Sequence, residues 1–376
     1  MKKFKVPVNE PYLYGNEKKY LQKCIRDGFI SSGGPFVEKF EKKFAKRLKR
    51  KFAISVSNGT AALQLAFESL NIKKKDQVIL PSFTIISCIL PVIRSGAVPI
   101  LVDSNPDTWN MDVEKIEDII TPKTKAIIAP HIYGLPIDMD PLLKIAQKYK
   151  LKVIEDAAEV LGLKYKNKEC GSFGDISTFS FYANKHITTG EGGMIVTDDR
   201  KIAEKCKSLR NICFNSKRRF VHYDLGWNYR FTNLQSAIGL AQLEKLNRFI
   251  IKKRNIGKIY NKELSKIKIF NTPLDQKEYA KNIYWVYGLV LKKGSPIALN
   301  TLMKKLKQYG IETRNFFWPL HKQPVLKKMG FFKNMKLPVA EHLGKNGLYL
   351  PSGLSITSLQ QKYVINKIKK ILFKYL

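Results

Sequence analysis

Cysteine is scarce and unpatterned in this chain. The five residues Cys24, Cys88, Cys170, Cys206 and Cys213 are odd in number and form no CxxC pair. That excludes a disulfide framework or a zinc site by spacing and points to a reducing compartment. Long hydrophobic runs are also missing. The most apolar window, Val78 to Ile93, is broken by Pro81, Ser82, Ser87 and Pro91 and is too short to span a bilayer. The opening MKKFKVPVNEPYL lacks the apolar core of a signal peptide. A cytoplasmic, soluble protein is expected, with no membrane partner and no metal. Acidic residues are few, 31 against 67 Lys and Arg, for a net charge of +36. Such a balance invites a nucleic-acid reading. The lysines, however, are scattered from end to end, with no Arg-rich tract or zinc-finger spacing, so no nucleic-acid partner is expected. A basic surface suits an anionic substrate equally well.

What is present describes a globular protein of two or more domains: 376 residues, 44% hydrophobic and 11% aromatic. A polar arm and two short helices, separated by the turn ISSGGPF at residues 30–36, lead into a regular alternation. Strands are expected at Phe52–Val56, Val78–Leu80, Val98–Val102, Ala126–Ala129 and Leu151–Glu155. Helical patterns such as SNGTAALQLAFESL lie between them. This spacing predicts an α/β unit with a largely parallel sheet, whose ligands gather beyond the carboxyl ends of the strands. After a strand ending near Thr197 and a helix over 200–210 comes the basic-aromatic stretch NICFNSKRRFVHYDLGWNYRFTNLQ. A long helix is expected from Leu234 to about Tyr260. YWVYGLVL as a strand and NTLMKKLKQYG as a helix then form a smaller α+β portion.

The stretch Asp175–Met194, DISTFSFYANKHITTGEGGM, organises the rest. A β-rich run passes Ser180 and delivers Lys185 into a Gly-rich segment. There Gly190, Gly192 and Gly193 are read as room for another group close to the backbone. Asp156, Ser180 and the Ser57–Thr60 turn all fall at expected strand ends. A pocket lysine, a strand-end aspartate and a phosphate-sized turn at a helix start together suit pyridoxal phosphate. The lysine bonds the aldehyde, the carboxylate keeps the pyridine nitrogen protonated, and amides and hydroxyls of Gly59, Thr60 and Ser180 hold the phosphate. Each element alone has an ordinary reading. EDAAE can be a helix cap, SNGT a common turn, and Lys185 a solvated lysine. Their order and shared location at the sheet edge favour the joint reading.

The runs ISSGGPFVEKFE, SNGTAALQLAF, IEDAAE, GSFGDISTFSFYANKHITTGEGGM, LGWNYRFTNLQSAIGLAQLE and ETRNFFWPLHKQP resemble, in order and over nearly the whole chain, the pyridoxal-phosphate-dependent sugar aminotransferases of the DegT/DnrJ/EryC1/StrS family. Glu159 and the GWNYRFTN and FWPLHKQP segments are most similar to its GDP-perosamine-forming members. The resemblance implies PLP-dependent transferase fold type I, aspartate aminotransferase-like. Residues 1–250 would form the large PLP-binding α/β domain and 251–376 the small C-terminal α+β domain. It implies amino transfer from L-glutamate to C4 of a nucleotide-linked 4-keto-6-deoxy sugar, with a pyridoxamine form during turnover. The dTDP- or UDP-linked sugars and amination at C3 remain alternatives. A non-catalytic regulator is the alternative of another class.

Residue by residue, the resemblance makes Lys185 the lysine that joins the cofactor and carries the proton, and Asp156 the partner of the pyridine nitrogen. Glu159 would lie near the ring hydroxyl. Gly59, Thr60 and Ser180 would hold the phosphate, and Asn228 would reach it from a second subunit, implying a homodimer with shared sites. Arg314, Phe317 and His321 fall in the segment that faces the nucleotide sugar. Ile85 stands where many relatives stack an aromatic on the ring, and Phe83 is a candidate substitute. Trp285 and Trp318 are expected in the core, and His131 either packs its loop or joins the site.

Overall fold

The computed structural model describes residues 4–215 and 217–375. Its centre is a seven-stranded sheet: β1 (Phe52–Val56), β2 (Gln77–Pro81), β3 (Val98–Val102), β4 (Thr124–Pro130), β5 (Lys152–Asp156), β6 (Ile176–Ser180) and β7 (Gly193–Thr197). The spatial order is β1-β7-β6-β5-β4-β2-β3. All pairings are parallel except the two made by β7, which is antiparallel to both neighbours. Side chains alternate along each strand, and both faces are apolar. Ile79, Ile127 and Val153 point into one core, while Val78, Leu80, Ile128 and Ile154 point into the other. Helices therefore cover both faces, as a parallel sheet requires.

The expected mostly parallel α/β architecture is what the chain adopts. Because β7 runs against the rest, the carboxyl ends of β1, β2, β4, β5 and β6 and the start of β7 meet at one edge. The expected long helix at 234–260 is instead two, Asn233–Leu243 and Leu246–Leu264, divided at Glu244–Lys245. The first opens with a capping box between Thr232 and Gln235. The second packs on a four-stranded antiparallel sheet built from Phe270–Asn271, Tyr287–Leu291, Arg314–Asn315 and Gly347–Leu350. This C-terminal unit has its own core, with Tyr260, Leu302, Leu306 and Ile368 fully enclosed.

The two units are knit together by paired strands and by packed side chains. Two-residue strands at Lys164–Tyr165 and Lys168–Glu169 share a small sheet with Gln276–Lys277 and Ala280–Lys281. An aromatic seam joins Phe83, Trp109 and Tyr133 of the first unit to Trp285, Phe316 and Phe317 of the second. Lys253, on the helix Leu246–Leu264, is buried at this junction and donates to the carbonyls of Trp285 (2.9 Å) and Ser352. Burial alone brings its amine down to about 7. No helix among the described residues is long and apolar enough to cross a membrane.

Candidate active site

At the carboxyl edge of the sheet lies a cavity of about 580 Å³, within the range of small-molecule sites. Nine of the ten residues expected in this chain's own cavity line it: Gly59, Thr60, Ile85, Asp156, Glu159, Ser180, Lys185, Arg314 and Phe317. They come from the ends of β1, β2, β5 and β6, from the loop between β6 and β7, and from the C-terminal unit. His131 and Ile132 add the end of β4.

One wall is a helix N-terminus. Asn58 caps the helix Gly59–Ser69 by accepting from the Ala61 amide (2.8 Å), leaving the Gly59 and Thr60 amides without an intrahelical acceptor. A Cβ at Gly59 would lie 2.9 Å from Ser180 Cβ, so only glycine brings this helix end against the Ser180 hydroxyl. Thr60 Oγ1 and Ser87 Oγ are 2.9 Å apart, and three hydroxyls thus gather around two free amides.

The opposite wall carries charge. Lys185 Nζ lies 3.7 Å from Glu159 Oε1, with both side chains nearly buried. Burial pushes the Glu159 carboxyl up to about 8 and the Lys185 amine down, each group opposing the other's shift. Burial thus brings the proton affinities of the carboxyl and the amine closer together. Glu159 is held by the Tyr133 amide, which donates to Oε2 at 2.8 Å. Tyr133 pays for that contact with a left-handed backbone, φ 55°, a conformation that strains a non-glycine residue. Asp156 accepts from the Ala158 amide (3.1 Å) and the Cys88 thiol (3.5 Å), and burial raises its carboxyl.

The loop bearing Lys185 is tied internally. The Lys185 amide donates to Tyr182 O (2.9 Å), Phe181 and Gly192 close its base at 2.8 Å, and Gly190 turns at φ 82°. The space beside Gly192 and Gly193 is already filled by the protein. A Cβ on Gly192 would strike Thr189 and the Phe231 ring, and one on Gly193 would come within 2.5 Å of Asn58 O. Gly193 brings β7 against the turn after β1 and Gly192 packs on Phe231, so neither makes room for a ligand, whereas the space beside Gly190 is open.

One expected residue, His321, lies elsewhere. His321 is buried behind the wall, its Nδ1 2.7 Å from Ser82 Oγ and its Nε2 3.0 Å from Glu341 Oε1. With both ring nitrogens engaged, it ties the C-terminal unit to the end of β2 and does not reach the cavity. Asn228 is exposed on the loop after Asn211, outside this chain's cavity. Phe83 is fully buried in the aromatic seam, whereas Ile85 is 43% exposed on the cavity wall. Trp318 is exposed, with its indole N–H on Lys322 O (3.2 Å). His131 lines the cavity, but its ring is spent on Glu155 Oε1 (3.0 Å) and the Ile137 amide.

The sequence reading missed Ser87, Asn184 and Trp285. Asn184 Oδ1 is buried without a partner among the described residues. Trp285 is buried as expected, yet its ring centroid sits 3.7 Å from Lys185 Nζ. Trp285 falls just before the strand Tyr287–Leu291, and an aromatic residue in an apolar run gives no signal that separates core from cavity wall.

The family model described as the DegT/DnrJ/EryC1/StrS aminotransferase family matches residues 11–369. The chain is 42% identical over 368 residues to the GDP-perosamine synthase of Escherichia coli O157:H7, covering 97% of this chain and 98% of that protein. Among solved structures, the aminotransferase PseC of Helicobacter pylori superposes with a TM-score of 0.93 at 23% identity, over 100% of both chains, a likeness of fold. A mutant GDP-4-keto-6-deoxymannose-3-dehydratase (ColD) with bound GDP-perosamine matches with a TM-score of 0.89 at 27% identity, over 97% of this chain and 100% of that one. The architecture is that of PLP-dependent transferase fold type I.

Proposed function

The chain belongs to the DegT/DnrJ/EryC1/StrS aminotransferase family, and on that footing we propose that it transfers the amino group of L-glutamate to C4 of a GDP-linked 4-keto-6-deoxy sugar, using pyridoxal 5'-phosphate. The observation that carries this reading is the convergence of Lys185, Asp156 and the Gly59–Thr60 helix start with Ser180 on one cavity. The residues fit the cofactor. Two free amides and the surrounding hydroxyls suit a phosphate. Asp156, a buried carboxylate whose own contacts are an amide and a thiol, suits a protonated ring nitrogen. When bound, the cofactor supplies an electron sink for the carbon that loses its proton.

The chain's own groups do the rest. Lys185 Nζ would take the proton from glutamate and later deliver one to the sugar carbon. Glu159, 3.7 Å away, would hold the proton when Nζ is neutral. Asp156 would keep the ring nitrogen protonated, and Ile85 would cover the ring by apolar contact. Arg314 and Phe317 would orient the nucleotide sugar.

Asn228 would act in the partner's site. Its loop exposes Phe220 (79%), Tyr223 (84%) and Leu225 (92%), apolar area that supports a second copy packing there. The five free, buried cysteines support a cytoplasmic location.

The test is spectroscopic. The purified protein should absorb visible light, lose that band with glutamate, and regain it with GDP-4-keto-6-deoxymannose, in ping-pong fashion. The product should be the 4-amino sugar by mass and NMR. Amination of only the dTDP- or UDP-linked sugar, or at C3, would overturn the GDP and C4 assignment. A Lys185→Ala variant with normal turnover would overturn the mechanism.

A further inference from the structure

Of all the cation–ring approaches among the described residues, the one between Lys185 and Trp285 is the shortest, 3.7 Å from Nζ to the ring centroid. It equals the distance from Nζ to the Glu159 carboxyl. The indole is fixed from several sides. Its Nε1–H donates to the carbonyl of Asn184, the residue before Lys185, at 2.9 Å. The backbone carbonyl of Trp285 accepts from the buried Lys253 amine at 2.9 Å. Gly134 packs so closely that a Cβ there would lie 2.6 Å from the Trp285 amide nitrogen. The Tyr133 ring lies 5.9 Å from it. Trp285 thus comes from the C-terminal unit yet is locked to the backbone that carries the lysine.

We propose that the indole face of Trp285 is the seat of the Lys185 ammonium, a positioning residue that holds Nζ at the cavity wall whenever the amine is not joined to the cofactor. The inference rests on the reading of Lys185 as the reacting amine. A carboxylate and an aromatic face both attract an ammonium, but they differ chemically. Glu159 can take the proton from Nζ, whereas an indole face has no site for it. The indole therefore keeps the amine charged and in place until the sugar carbon needs a proton. The attraction is strongest where water is excluded, and Trp285 is only 6% exposed. The other groups facing Nζ are Asp156 at the end of β5, Cys88 after β2, and the neighbouring His186, whose imidazole burial brings down to about 3.

The experiment uses the full chain stripped of cofactor and mixed with pyridoxal phosphate. Capture is followed by visible absorbance as neutral Nζ attacks the aldehyde carbon, a C–N bond forms and the aldehyde oxygen leaves as water. The rate against pH gives the midpoint at which Lys185 surrenders its proton. Removing a group that stabilises the ammonium moves that midpoint to lower pH. Trp285→Phe should lower it by several tenths of a unit and Trp285→Leu by about one unit. Mere packing would not order the midpoints this way. The phenylalanine variant keeps a ring in the packing and carries the test if the leucine variant does not fold. Identical midpoints in wild type and Trp285→Phe or Trp285→Leu would overturn the inference. Capture persisting in Lys185→Ala would instead overturn the reading of Lys185.

Discussion

A Lys253→Met variant should lose a pH dependence of stability that the wild-type protein has. The Lys253 amine is buried, bonded only to carbonyls, and brought by burial from 10.5 to about 7. Between those two values the unfolded chain holds a proton that the folded chain has released. Stability therefore rises with pH across this window, by about 1.4 kcal/mol per unit once above the folded value. Allowing for partial titration at pH 7, the wild type should gain about 2 kcal/mol between pH 7 and pH 9 that the variant does not. Methionine also strands the carbonyls of Trp285 and Ser352, at about 1–3 kcal/mol each. That cost is the same at both pH values and leaves the slope alone. Urea unfolding of both proteins at pH 7 and pH 9, followed by tryptophan fluorescence, separates the two effects. All other titrating groups are common to both and cancel in the difference. Stability curves that stay parallel from pH 7 to pH 9 would refute the claim that burial holds Lys253 near neutrality.

Gly59→Ala forces a methyl group against Ser180 and should weaken retention of pyridoxal phosphate about tenfold, measured by equilibrium dialysis. Glu159→Gln keeps an acceptor for the Tyr133 amide but removes the carboxylate beside Lys185. The pH midpoint of cofactor capture should therefore fall. His321→Gln disturbs the buried link between Ser82 and Glu341 and should cost about 2 kcal/mol in thermal or urea unfolding. It should leave KM for the nucleotide sugar close to wild type, because the ring does not reach the cavity. Leu225→Asp on the exposed loop should drive sedimentation towards the monomer and impair activity together.

The seven strands were legible because β-branched runs such as AISV and VPILV alternate with helical patterns, and a sheet buried on both faces leaves few other readings. The division at Glu244–Lys245 was not legible, since neither glycine nor proline marks it and both flanking stretches are helical by pattern. Asp156 and Ser180 announced themselves by standing at strand ends, and Lys185 by the β-rich run before it and the Gly-rich segment after it. His321 and Trp285 show the limit of such reasoning. A polar residue in a site-like motif turned out to be a buried tie, and a core-like aromatic turned out to be cavity wall. Which of two sides an enclosed side chain faces depends on how the C-terminal unit docks, and that is written in no local pattern. Trp318 failed for a related reason: its apolar area is in the sequence, but the surface that would cover it is not.

The reversal of β7 has an evolutionary consequence. Because β6 ends and β7 begins at the same edge of the sheet, residues 181–192 leave and return at the cavity mouth without crossing to the far side. Lys185 thus rides on a cassette whose two anchors, Ser180 and Gly193, are adjacent partners in the ladder. Such a cassette can be exchanged, or its lysine replaced, without rethreading the sheet or altering a crossover. A single substitution or a short graft between those anchors can redirect the chemistry while the fold that presents it is inherited unchanged.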